Sequence, residues 1–333
     1  MRQLSKIPYY WGRYRNRKLN RQEFKQLKSV LHSFPYIAYI DPTNICPLSC
    51  PLCPTGNRSS THPRGLMSFD TFQKIYDQIG PYLYELHLYN WGEPFVNRAL
   101  VEMIEYAKRK YDPKIIISSN LAGLSEKRAR ALVHPDIDLL NVSVDGATQE
   151  TYGKYRVGGD LKQVLETLAI MAETKKASGL RTPVLRWQFI PMKHNEHEIE
   201  TARRLAKSLG VEFRIHRVRL NISDFDKKEI EQVVKESEEW MPQNPKYVRL
   251  SNKGELENVC KFLWDRVVFN WDGSVVPCCQ IYTYEDVFAK SFEVDFASIW
   301  NGSAYTKARE IFIGKRAEDN FICQKCVDNK SAF

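Results

Sequence analysis

The chain has 333 residues, 43% hydrophobic and 27% charged, with a formal net charge of +9 and eight cysteines; that length can bury a large core and suggests two domains. No apolar run approaches the roughly 18 residues of a membrane-spanning helix, and the opening Met1-Arg2-Gln3-Leu4-Ser5-Lys6 begins no signal-peptide core. The expectation is a cytoplasmic protein, and in that reducing compartment eight cysteines read as metal ligands rather than disulfides.

Residues 1–35 read as a basic amphipathic arm. Arg2, Lys6, Arg13, Arg15, Arg17, Lys18, Arg21, Lys25 and Lys28 stand against Glu23 alone in the first 30 residues, so the remaining 303 are near neutral. Tyr9, Tyr10, Trp11 and Tyr14 interleave with these charges. Such an arm could cap the floor of the next domain, rest on an anionic membrane surface, touch nucleic acid, or grip a phosphorylated or nucleotide-linked substrate. It is too short to fold as a separate recognition domain.

From residue 36 to 220, short β-branched or aromatic runs alternate with amphipathic stretches, the pattern of βα units around a parallel sheet. Strands are expected at Tyr36–Ile40, Tyr84–Tyr89, Lys114–Ser118, Leu139–Val144, Val184–Ile190 and Val211–His216. In a βα barrel the loops after the strands converge on one face. Cys46, Cys50 and Cys53, spaced C-x3-C-x2-C, follow the first strand; Asn90-Trp91-Gly92-Glu93-Pro94 follows the second; Ser118-Ser119-Asn120 closes the third; Ser143-Val144-Asp145-Gly146 closes the fourth. A closed structural metal site takes four protein ligands, so three thiolates with no histidine at zinc-finger spacing read as an iron–sulfur ligand set that leaves one iron open.

Polar groups also end the last two strands. Lys193 and His194 after strand five and His216 after strand six are candidate bases, histidine being suited by its near-neutral pKa; His87, within a strand, is expected to pack inside. Residues 221–259, rich in acids such as Asp224, Asp226, Glu229, Glu231, Glu236, Glu238 and Glu239, read as a charged linker with one exposed helix. Beyond them, Val267–Phe269 and Ser274–Val276 flank an Asp272-Gly273 turn and should form a hairpin, and Ala297–Ile313 a helix. Cys260, Cys278, Cys323 and Cys326, in a C-x12-G-x4-C then C-x2-C arrangement, make a closed four-thiolate site for an iron–sulfur cluster or zinc. Cys279 is left over, either a packing residue or a reactive thiol.

The first cysteine set resembles that of the radical S-adenosylmethionine (radical SAM) enzymes, and the strand-end motifs agree with it over residues 36–333. The resemblance implies an α/β fold, a partial (β/α)6 TIM-like barrel over residues 36–220, then a small α+β auxiliary-cluster domain over 260–333. It implies a [4Fe–4S] cluster whose open iron is chelated by SAM and whose electron generates a 5′-deoxyadenosyl radical. By the same resemblance Gly92, Glu93 and Pro94 receive the SAM amino group, Ser118 and Asn120 the ribose hydroxyls, and Ser143 and Arg156, next to Asp145, the carboxylate. Leu52 departs from the family, which usually has an aromatic residue there, and suggests that adenine rests on apolar contact. The second set resembles the twitch module, the short form of the SPASM domain; only seven residues follow Cys326, so one auxiliary [4Fe–4S] cluster is expected.

Among twitch enzymes the inosamine dehydrogenase type has the same two-plus-two cysteine arrangement. The implied function is oxidation of a hydroxylated small molecule, such as an amino-cyclitol or a sugar, with electrons supplied by a reductant such as flavodoxin or ferredoxin. Three alternatives stay open: an epimerase with Cys279 as hydrogen donor, a peptide-modifying maturase, and a zinc-bearing nucleic-acid-binding protein. The barrel pattern does not call for nucleic acid.

Overall fold

Leu139–Ser143 is a continuous run buried at every position, and Lys114–Ser119 is exposed only at its first residue, as parallel strands covered on both faces should be. The computed structural model describes residues 7–218, 235, 237–247, 259–290, 294–318 and 320–328. In it β1 (Ile37–Ile40), β2 (Glu85–His87), β3 (Lys114–Ser119), β4 (Leu139–Ser143), β5 (Val184–Phe189) and β6 (Glu212–Ile215) pair in parallel, each with the next. This is the partial barrel. Helices cover its outside through apolar stripes at helical spacing, such as Leu100, Met103, Ile104 and Ala107 or Leu161, Val164, Leu168 and Met171.

The hairpin forms as β7 (Arg266–Phe269) and β8 (Val275–Val276), antiparallel to each other. It joins the barrel's own sheet: β7 lies parallel to β1, Ile37 beside Arg266 and Ile40 beside Phe269. The sheet order is therefore β6-β5-β4-β3-β2-β1-β7-β8. An open β1 edge would leave a row of unpaired N–H and C=O groups, and the hairpin takes it up.

The helix expected over Ala297–Ile313 is two, Phe296–Trp300 and Ser303–Ile311. Between them a Cβ on Gly302 would lie 2.8 Å from the Ser298 carbonyl, and Asn301 leaves the helical path to bond Leu31 through both its side-chain atoms. Most of the expected linker, 221–234, 236 and 248–258, lies outside the described residues. Within its described part Trp240 is buried against Tyr155 and His194.

The arm is a helix, Ile7–Lys25, lying across the barrel floor. Arg17 stacks on Tyr36 and Tyr84, just before β1 and β2; Arg13 donates to the Tyr111 carbonyl; Asn20 donates to the Trp264 carbonyl. Glu23 is fully buried and accepts from His32 N, Ser33 N and Ser33 Oγ at 2.8, 3.1 and 2.6 Å. The helix keeps Trp11 and Tyr14 exposed on its outer side, at 64% and 57%. Arg309, wholly buried, donates to the carbonyls of Leu263, Ser29 and Trp300 and so ties the arm's end to the C-terminal helices. Among the described residues no helix is long and apolar enough to cross a membrane.

Glu23→Ala would strand the buried N–H and O–H of Ser33, at about 1–3 kcal/mol for each unpaired group, and leave the part-buried His32 N–H to water. We expect a loss of about 3 kcal/mol in urea denaturation followed by tryptophan fluorescence, and a smaller one for Glu23→Gln. Equal midpoints for Glu23→Ala and the native chain would mean that the floor cap adds nothing.

Candidate active site

One cavity gathers the strand-end motifs. It is lined by Cys46, Cys50 and Cys53 from the loop after β1, Tyr89, Gly92 and Glu93 after β2, Ser118 and Asn120 at the end of β3, Ser143 at the end of β4, and Arg156. Two loops cross at its base, and their backbones touch: a Cβ on Gly92 would lie 1.8 Å from the Thr43 carbonyl oxygen, so only glycine fits. Glu93 N donates to the Ile45 carbonyl at 2.9 Å. Asp41, at the end of β1 and 2% exposed, accepts from Trp91 N at 3.1 Å. Burial pushes its carboxyl up to about 7, against backbone donors from Trp91, Thr43, Gly92 and Asn90.

Glu93 is spoken for within the protein. Its carboxylate accepts from Ser119 Oγ at 2.8 Å, Asn120 N at 2.7 Å and Phe95 N at 3.2 Å, which binds the loop after β2 to the end of β3. Burial raises its pKa while these donors oppose the rise. Asn120 turns its amide toward Cys46 Sγ at 3.4 Å. Arg156 gives Nε and one Nη to Asp145 Oδ2 at 2.8 and 2.6 Å and presents the other Nη to Cys50 Sγ at 3.8 Å. Asp145 also accepts from Ile190 N at 2.7 Å. The guanidinium fork expected to meet a carboxylate ligand thus already holds a carboxylate of the chain, leaving its cysteine-side edge toward the cavity. Pro94 is buried at the start of a short helical turn, and Leu52 packs with a separate apolar cluster that includes Leu48, Tyr155, Met192 and Trp240.

Five of the thiols share one electrostatic character. Burial pushes Cys46 up to about 12, with Glu93, Cys50 and Cys53 adding to the rise, and raises Cys50 despite Arg156. In the second set burial lifts Cys260 to about 11 and Cys278 and Cys323 well above the usual thiol value, with Cys260 and Cys326 among the neighbours that raise both. The four are thus brought together from three separate stretches of chain. Desolvated thiols that repel one another as thiolates are relieved by a bound cation, since metal ligation deprotonates the sulfur and repays the burial. Among the described residues no group is already drawn in to metal-ligating positions; the first three sulfurs line a cavity. Both sets fit iron–sulfur ligation by donor type and number.

The candidate bases do not join this cavity's lining. Lys193 is exposed, His194 meets Trp240 edge-on with ring centroids 5.3 Å apart, and His216 follows β6 near Arg214 and Arg186, which together with desolvation lower its pKa. Cys279 lies near enough to Tyr39 and Tyr89 to raise the pKa of both. Tyr89 and Asp41 went unremarked in the sequence. The signal for Tyr89 was its place directly before Asn90-Trp91-Gly92.

The family model of the radical SAM superfamily matches residues 40–206, and that of the SPASM iron–sulfur cluster-binding domain matches residues 260–327. A tungsten-containing aldehyde ferredoxin oxidoreductase cofactor-modifying protein of Pyrococcus furiosus is 24% identical over 321 residues, 87% of this chain and 86% of that one. A probable GTP 3′,8-cyclase of Methanococcus maripaludis is 24% identical over 253 residues, covering 70% and 81%. Among solved structures, SuiB of Streptococcus suis bound to the precursor peptide SuiA has a TM-score of 0.62 at 14% identity, covering 93% of this chain and 74% of that one. BtrN in complex with AdoMet and 2-DOIA has a TM-score of 0.51 at 14% identity, covering 84% and 87%. The chain belongs to the radical SAM superfamily and carries a SPASM iron–sulfur domain, with SAM and [4Fe–4S] clusters as its cofactors.

Proposed function

We propose that the protein oxidises a hydroxylated small molecule, an amino-cyclitol or sugar in class, at a C–H bond beside oxygen. The observation that carries this reading is the union of hairpin and barrel. β7 pairs with β1, Cys278 follows β8 by two residues, and Cys279 reaches the electrostatic neighbourhood of Tyr89 on the cavity wall. An electron acceptor held by the second cysteine set would therefore adjoin the substrate space, which favours net oxidation over a redox-neutral rearrangement.

When bound, the cofactors supply a 5′-deoxyadenosyl radical that removes the hydrogen atom and an auxiliary cluster that takes up an electron. The chain's own groups do the rest. Cys46, Cys50 and Cys53 would hold the first cluster and Cys260, Cys278, Cys323 and Cys326 the second. Gly92 keeps the loop after β2 against the cysteine loop, Ser118 and Asn120 would offer partners to the ribose, and Ser143 with the cysteine-side edge of Arg156 would meet the SAM carboxylate. The Pyrococcus furiosus relative, named as a cofactor-modifying protein and similar over most of both chains, supports a substrate that is itself a cofactor or its precursor.

The position of Cys279 favours a second reading, epimerisation, in which its thiol returns a hydrogen atom to the opposite face. It predicts solvent deuterium in the product carbon and loss of that label in Cys279→Ala. The dehydrogenase reading predicts that deuterium on the carbinol carbon of an amino-cyclitol appears in 5′-deoxyadenosine; its absence there would remove direct abstraction from that carbon. For the ligand sets, the anaerobic chain should hold about eight irons, falling to about four when Cys46, Cys50 and Cys53 are all alanine. Loss of all iron in that variant, or zinc in place of iron, would overturn the assignment.

A further inference from the structure

A line of polar side chains runs from the cavity wall into the barrel. Tyr89 lines the cavity beside the three thiols. Its Oη lies 3.2 Å from His87 Nδ1, and His87 Nε2 lies 3.3 Å from Glu85 Oε2. Residues 85, 87 and 89 alternate along β2 and its extension, so all three project to the same face. Tyr39 stacks on His87 with ring centroids 4.2 Å apart and planes 19° apart, and meets Tyr89 edge-on at 5.9 Å. His87 is 8% exposed, whereas the Glu85 side chain is 35% exposed.

The chemistry fixes the proton positions. An ionised carboxylate can only accept, so Nε2 carries the proton toward Glu85 and Nδ1 is left as the acceptor for the Tyr89 hydroxyl. The hydrogen bond to His87 and the neighbouring Lys114 and Arg266 hold Glu85 below the usual carboxylate range. Burial lowers His87, with Glu85 opposing and Arg266 and Lys114 assisting, so its resting state is the neutral imidazole. Tyr39, Cys279 and Glu85 face Tyr89, and with burial they raise its pKa; it enters as a phenol. Phenol, imidazole and carboxylate stand in the order that lets a hydroxyl act as a base.

We propose that Tyr89 is the catalytic residue that takes the substrate's hydroxyl proton, with His87 receiving the phenol's own proton and Glu85 positioning His87; this rests on the oxidation reading above. In the step the substrate O–H bond breaks and a bond forms at Tyr89 Oη. Tyr89's original O–H bond breaks as an N–H bond forms at His87 Nδ1. The imidazolium neutralises the Glu85 carboxylate, so the buried pair passes from negative to neutral; the substrate radical left behind would give its remaining electron to the auxiliary cluster as its C–O bond becomes a carbonyl, and the proton leaves by way of Glu85 at the exposed end. Lys193, His194 and His216 have no place on this wall.

The test uses the cluster-loaded chain with 3-fluorotyrosine at position 89, its 19F resonance followed against pH without substrate. The resonance should titrate once below pH 6.5, as His87 protonates, and this transition should vanish in His87→Gln; identical titrations in the two would overturn the relay. With SAM and an amino-cyclitol deuterated at its carbinol carbons, Tyr89→Phe should still pass deuterium to 5′-deoxyadenosine. Oxidised product per 5′-deoxyadenosine should fall about 100-fold, within the usual span of general acid–base catalysis. In the native chain oxidation should fade as pH drops through the His87 transition, and Glu85→Gln should move that limb to lower pH. Native yield from Tyr89→Phe alongside deuterium transfer sinks this proposal alone; no deuterium transfer in the native chain sinks the oxidation reading, and the 19F titration still decides the relay.

Discussion

The site depends on one backbone contact, the crossing of the cysteine loop over the loop after β2 at Gly92. With 1.8 Å between a virtual Cβ and the Thr43 carbonyl, any side chain there would push the two loops apart, and with them the three thiols from Glu93. The contact is locked from both sides. Asp41, just ahead of the cysteine loop, accepts from Trp91 N of the second loop, and Glu93 carries that second loop on to β3. A buried carboxylate is costly unless its hydrogen bonds are made; those of Glu93 are spent on joining the loop after β2 to the end of β3. The polar atoms that define the cavity are thereby placed by backbone rather than by long side chains.

The second cysteine set is tied to that rim as well as to the sheet. Trp91 Nε1 donates to the Ile281 carbonyl at 3.0 Å, Ser60 Oγ to the Tyr282 carbonyl at 2.9 Å, and Trp271 Nε1 to the Pro63 carbonyl at 2.8 Å. Both loops of the first site thus reach the segment around Cys278 and Cys279. Displacement of the hairpin would be felt at the cavity, and the reverse, because these bonds and the β1–β7 pairing join them directly.

The strands were legible in the sequence to within a residue or two. Runs such as Ile115-Ile116-Ile117 are apolar on both faces and stop at Ser119-Asn120, and parallel strands leave just that trace. The grouping of seven cysteines into a set of three and a set of four was legible because spacing carries it. Three features were not. The Arg156–Asp145 pair spans eleven residues across the short helix Gln149–Tyr155, whose return toward the end of β4 no periodicity encodes. The β7–β1 pairing joins segments more than two hundred residues apart, which no local pattern reports. His87 was expected to pack inside and does, but its contacts with Glu85 and Tyr89 were not legible, because an alternation of polar residues in a strand does not say which of them meet.

That distant pairing bears on how the molecule is made. β1 is the first strand to emerge during synthesis and sits between β2 and β7 in the finished sheet, so one of its hydrogen-bonding edges has no partner until residues 266–269 have left the ribosome. Arg309 adds a still later tie to Ser29. Non-local contacts of this kind slow folding and leave strand edges open to wrong partners meanwhile. A nascent chain stalled near residue 220 would have its first three thiols in place beside an unfinished wall, so assembly of the first metal centre before the last third of the chain arrives would take place in a vessel still open on one side.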